Sequence, residues 1–75
     1  MPTNSPQHPI GVFINGEPRE LPAGQSVASL LHSLSIPSDR VAIELNKTIV
    51  RKRDWDTTFV AAGSQIEIVE FVGGG

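Results

Sequence analysis

The 75-residue sequence contains no cysteine. That absence excludes a disulfide staple, a thiolate-held metal, a cysteine nucleophile, and any persulfide or thioester carried on a side chain. The two histidines, His8 and His32, stand far apart with no carboxylate at ligand spacing, so a structural zinc site is not expected either. A domain this small draws only about 3–5 kcal/mol from its core, and without a staple that must come from packing. No apolar run approaches the ~20 residues of a membrane span, and the start lacks the apolar centre of a signal peptide, so a soluble, cytoplasmic protein is expected. Cationic residues are few, six against eight acidic, and they cluster only at Arg51–Arg53, which reads as a solvated turn. Nucleic acid is therefore not an expected partner. A nucleophile–base pair and an interior glycine-rich phosphate loop are also missing, which argues against an enzyme with its own active site.

What is present begins after residues 1–9, "MPTNSPQHP", whose prolines and polar neighbours predict a disordered leader. In "IGVFIN", Ile10, Val12 and Ile14 share one face of a strand, and Asn15-Gly16 is a strong two-residue hairpin signal. The return strand "EPREL" contains Pro18, which has no amide proton to give, so an edge strand is predicted. Val27, Leu30, Leu31 and Leu34 then fall at helical spacing on one stripe, with Ser26 placed to cap the N-terminus and Pro37 bounding the far end. His32 lies off that stripe and reads as a solvated surface residue.

"VAIELN" alternates as a half-buried strand, "KTIV" adds a short one after a turn at Asn46-Lys47, and "RKRDWDTTFVAAGSQ" reads mostly as connection. Within it Trp55 is expected to cover the end of the core, with Phe59 or Val60 beneath it. The last strand, "QIEIVEFV", places Ile66 and Ile68 on one face and Glu67, Val69 and Phe71 on the other. These elements predict an α+β domain over residues 10–72, a mixed sheet of four to five strands with one main helix packed on one face. The inward set comprises Val12, Ile14, Ile43, Ile66 and Ile68. Phe13, Val69 and Phe71, with Val72 at the end of the strand, are the expected partner-binding residues on the outer face. Residues 73–75, "GGG", complete the sequence as a predicted flexible tail.

Taken together, the "NGE" hairpin, "LPAGQSVASLL", "VAIELN", "IVRKRDW", "GSQIEIV" and the terminal "VGGG" resemble the thiamine-biosynthesis sulfur carriers, a family of small ubiquitin-like β-grasp proteins. The resemblance covers residues 10–75. It implies a β-grasp fold and a protein cosubstrate, not a catalyst, with no bound cofactor. A partner adenylating enzyme would use ATP to activate the carboxylate of Gly75, a persulfide donor would convert it to a thiocarboxylate, and thiazole synthase would receive the sulfur.

A terminus that must thread a partner's channel accounts for Gly73, Gly74 and Gly75, since any Cβ would widen the thread and restrict its backbone. Extended, three glycines reach about 10 Å beyond the last strand. The family ends in two glycines and this chain in three, with Gly75 taken as the acceptor. The same activated terminus belongs to the small sulfur-donating subunit of molybdopterin synthase and to ubiquitin-like modifiers. A plain β-grasp interaction domain, whose glycines do nothing, is the reading from a different class.

Overall fold

A computed structural model describes residues 8–71; most of the predicted leader, residues 1–7, and Val72, Gly73, Gly74 and Gly75 lie outside the described residues. Strand β1 (Ile10–Ile14) turns into β2 (Glu17–Leu21) through Asn15 at φ 50° and Gly16 at φ 83°. Two successive positive φ values make the mirror-image turn whose twist matches a hairpin, and Asn-Gly is the pair that adopts it most readily. The two-residue turn sets the register, with Ile14 opposite Glu17 and Phe13 opposite Pro18. A second such turn, Asn46 at φ 52° and Lys47 at φ 70°, joins β3 (Val41–Leu45) to β4 (Thr48–Val50).

The last strand, β5 (Gln65–Glu70), inserts between the two hairpins, giving a five-stranded sheet in the order β2-β1-β5-β3-β4. β5 runs parallel to β1 and antiparallel to β3. The proline-containing β2 lies at the edge, as its missing amide donor requires. The observed architecture is the ubiquitin-like β-grasp that the sequence predicts.

Helix α1 (Val27–Ser33) carries the predicted stripe onto the sheet, with Val27, Leu30 and Leu31 buried. Its first turn would leave amide protons without partners. Here Val27 N–H donates to the Thr58 carbonyl (2.8 Å) and Ala28 N–H to the Trp55 carbonyl (3.0 Å), while Ser29 N–H donates to the Ser26 side chain (3.1 Å). The predicted cap at Ser26 is thus in place, and the long connection after β4 supplies the remaining acceptors.

The helix stops before Pro37. Ser35 takes the left-handed conformation at φ 58°, with Ser35 N–H donating to the His32 carbonyl and Ile36 N–H to the Leu31 carbonyl (both 3.0 Å). That pair of bonds is a Schellman motif built without glycine. It leaves Leu34, the last member of the stripe, half-buried at the helix end, and Ile36 packs against the core beside it.

Trp55 is buried (5% exposed) and its indole N–H donates to the Val50 carbonyl at 2.9 Å. Of the two candidates beneath it, Val60 enters the core and Phe59 is 61% exposed. The connection is more ordered than its composition suggests, containing a 3-10 turn at Lys52–Asp54. Val60 N–H donates to the Gln25 carbonyl (2.9 Å), which ties the segment to the start of the helix.

Candidate functional site

The strand that leads to the glycines is the middle strand of the sheet, paired with β1 at Gln65 and Ile66 and with β3 from Ile66 to Glu70. At its start, Asn46 N–H donates to the Gln65 carbonyl (2.7 Å), and the Asn46 side-chain oxygen accepts from Gln65 N–H (2.8 Å). Further along, the side chain of Asn15 does the same at Ile68: Oδ1 accepts from Ile68 N–H (2.8 Å) and Nδ2 donates to the Ile68 carbonyl (3.2 Å). At the end, Phe71 N–H donates to the Arg40 carbonyl at 2.7 Å.

Each hairpin turn therefore contributes an asparagine that grips β5. Sequence reading assigned both asparagines to turn formation and missed the grip. Asparagine in the left-handed region with an unassigned amide is the signal available, but the residue gripped is 53 positions from Asn15 and 19 from Asn46.

The outer face of the sheet is read from the register. Val69 lies opposite Ala42 and Glu67 opposite Glu44, while Phe13 lies beside Pro18 on one side and Gln65 on the other. Val69, Phe71 and Phe13 are 56%, 55% and 44% exposed, so none of the three packs beneath a loop of this chain.

Val69 and Phe71 stand one strand repeat apart at the root of the glycine segment. Phe13 is level with Gln65, about 13 Å back along β5 from Val69 at ~3.3 Å per residue, with Glu67 in between. The three residues make two apolar spots, not one patch; Val72 lies outside the described residues. Between the spots, Glu44 and Glu67 face one another across the strands, a like-charge pairing that disfavours the sheet, and Lys47 of this chain borders the same hollow.

Ile49, 70% exposed opposite Glu44, adds an outward apolar residue that the sequence reading passed over. The two-residue turn at Asn46-Lys47 was its signal, because it places Thr48 against Leu45 and so turns Ile49 outward.

His32 is exposed, as expected, and lies with Lys52 and Asp56 around a cavity floored by Leu31 and Trp55. Arg51, Lys52 and Arg53 are exposed on their turn. Among the described residues, no group of three metal-ligating side chains comes together, and no helix is long and apolar enough to cross a membrane.

Comparison with known proteins converges on one family. Residues 12–75 match the ThiS family. A solved structure of the thiamine biosynthesis protein ThiS from Geobacter metallireducens superposes with a TM-score of 0.77 at 29% identity, covering 88% of this chain and 100% of that one. The chain is 44% identical over 64 residues to a thiazole synthase of Paramagnetospirillum magneticum, covering 85% of this chain and 20% of that protein. It is 38% identical over 66 residues to the uncharacterized protein ycf40 of Porphyra purpurea, covering 88% of this chain and 93% of that one. The chain thus spans about a fifth of the length of the thiazole synthases it matches. With the fold, the register and a match running from β1 to Gly75, this chain belongs to the ThiS family, the thiamine-biosynthesis sulfur carriers.

Proposed function

We propose that this chain carries sulfur for thiazole formation in thiamine biosynthesis, as a cosubstrate handed between enzymes. The observation that carries the reading is that the central strand of the sheet leads to Gly75, from a root ringed by exposed Val69 and Phe71. A family match running through residue 75 supports it.

A carboxylate is a poor acyl donor because its leaving group would be oxide. In the proposed sequence, an adenylating partner binds ATP, an oxygen of the Gly75 carboxylate attacks the α-phosphorus, and pyrophosphate leaves. The terminal sulfur of a donor protein's persulfide attacks the acyl carbon, and AMP leaves. A thiol of the donor system then cleaves the sulfur–sulfur bond, taking its own sulfur into a disulfide and leaving a thiocarboxylate on Gly75. That thiocarboxylate is an ionised nucleophile at neutral pH and delivers sulfur to the thiazole-forming enzyme. The match to a segment of proteins named thiazole synthase supports such a partner, since donor and acceptor on one chain meet at high effective concentration.

Incubating the protein with ATP, a cognate adenylating enzyme and a persulfide source tests this directly by intact mass. The expected result is a gain equal to the difference between sulfur and oxygen, localised to the terminal peptide. An unchanged mass with an enzyme active on its own carrier would overturn the reading.

The docking surface has its own test. Val69→Asp or Phe71→Asp should leave thermal unfolding nearly unchanged, because both side chains are more than half exposed. Each should raise the KM for the carrier in adenylation by about tenfold or more, since burying such a side chain against a partner is worth roughly 1.5–3 kcal/mol. Phe13→Asp should have the smaller effect, because Phe13 is level with Gln65, at the far end of β5 from the root.

A further inference from the structure

Parallel pairing between β1 and β5 ends where Ile14 meets Ile66, because the main chain turns away at Asn15 into the hairpin. The grip on β5 nevertheless continues for one more strand repeat. Asn15 N–H donates to the Ile66 carbonyl (2.8 Å), and the Asn15 side chain both accepts from Ile68 N–H and donates to its carbonyl. A primary amide has the donor and acceptor of a peptide group, so the side chain stands in for the β1 residue that the turn removes.

Alternation then directs the backbone groups of Glu70 to the same side as those of Ile66 and Ile68. Beyond Asn15, β1 offers them no partner among the described residues. A cavity bordered by Ile14, Asn15, Leu34, Ile68 and Glu70 opens at this point. From there on β5 is held from the β3 side, where Val69 lies opposite Ala42 and Phe71 N–H donates to the Arg40 carbonyl.

We propose that Asn15 is a positioning residue for the terminal arm: its side-chain amide carries the β1-side hold on β5 one strand repeat further, to Ile68, and so steadies the strand from which the arm departs. The inference rests on the carrier reading above. With the amide in place β5 is held from both sides as far as Ile68; without it the hold from the β1 side stops at Ile66, and the strand that leads to the arm is kept in line by β3 alone. Docking through the outer face is unaffected by that loss, because Val69 and Phe71 remain on the surface. The fraction of docked carriers with the carboxylate at ATP falls.

The substitutions that isolate this role are Asn15→Gly, which keeps a residue suited to φ 50° while deleting the amide, and Asn15→Asp, which keeps the acceptor for Ile68 N–H and loses the donor. Amide exchange is measured on the free proteins by NMR, and ATP–pyrophosphate exchange is measured with a cognate adenylating enzyme while the carrier concentration is varied. In Asn15→Gly, Ile68 amide exchange should accelerate about tenfold or more, while that of Leu30, inside the helix, stays within about twofold. The kcat should fall by about tenfold, the size expected if the less restrained strand leaves the equivalent of one residue to be ordered in the docked complex, with KM within about twofold. Asn15→Asp should lie between Asn15→Gly and the wild type in both measurements.

Equal acceleration at Ile68 and Leu30 would mean general loosening and would overturn the proposal, as would an unchanged Ile68 amide or a loss confined to KM. A wild-type chain that supports no exchange would overturn the carrier reading and the positioning role with it. An Asn15→Gly variant matching an active wild type would overturn the positioning role alone.

Discussion

Deleting Gly74 and Gly75 is expected to leave thermal unfolding almost unchanged and to abolish both adenylation and thiocarboxylate formation. The backbone pairing that closes the described fold is complete at Phe71, whose N–H donates to the Arg40 carbonyl, and the core is assembled from residues earlier in the chain. Glycine has no side chain to bury, and fixing each one costs about 1–2 kcal/mol of backbone entropy. Removing two of them should therefore change stability by no more than about 0.5 kcal/mol, a Tm shift of about 4 °C at most for a domain of this size.

On the proposed carrier function the chemistry should vanish completely, because the carboxylate proposed to react is withdrawn by about 7 Å of extended chain. Gly74→Val should retain the fold and lose the reaction by blocking entry to a narrow channel, and one residue added after Gly75 should inactivate the protein unless a protease removes it. Calorimetry with intact mass after ATP and persulfide treatment reads both halves. A truncated chain that still gained sulfur would eliminate the terminal-carrier reading in favour of a plain interaction domain.

Leu30→Ala is expected to unfold most of the protein near physiological temperature. Leu30 is 1% exposed, in the middle of helix α1, which covers the sheet. Deleting a buried leucine side chain to alanine costs about 2–5 kcal/mol, the sum of lost transfer energy and the cavity left behind. The whole stability available to a domain of this size is of the same order, about 3–5 kcal/mol. At about 4–8 °C per kcal/mol, the Tm should fall by roughly 10 °C or more. Circular dichroism melting of the two proteins decides the matter, and an unchanged midpoint would show that the helix is not seated on the sheet as described.

The inward and outward sets were largely readable in advance because they follow from local periodicity. A period of two in β1, β3 and β5 and of about 3.6 in α1 separates buried Val12, Ile43, Ile66, Leu30 and Leu31 from exposed Phe13, Val69 and Phe71 without any knowledge of what packs on what. The turn at Asn15-Gly16, the edge position of Pro18 and the cap at Ser26 were equally local matters. The Schellman stop was less so: Ser35 occupies a position that glycine usually fills, and the nearest sequence signal, Pro37, lies two residues further on.

By itself, then, the sequence determined the strands, the helix, the inward-facing residues and the family resemblance of a glycine-ended β-grasp, because these rest on side-chain type and spacing along the chain. Tertiary structure alone decided what lies next to what. The insertion of β5 between two hairpins separates Phe13 from Val69 and Phe71 and brings Glu67 against Glu44. The same insertion carries Ile68 to the amide of Asn15, and no sequence spacing encodes that pairing. The physical reason is that backbone and amide hydrogen bonds are chemically alike at every residue, so which ones form depends on how the two hairpins close around the last strand. Only once they have closed does a turn residue become a clamp on the strand leading to Gly75.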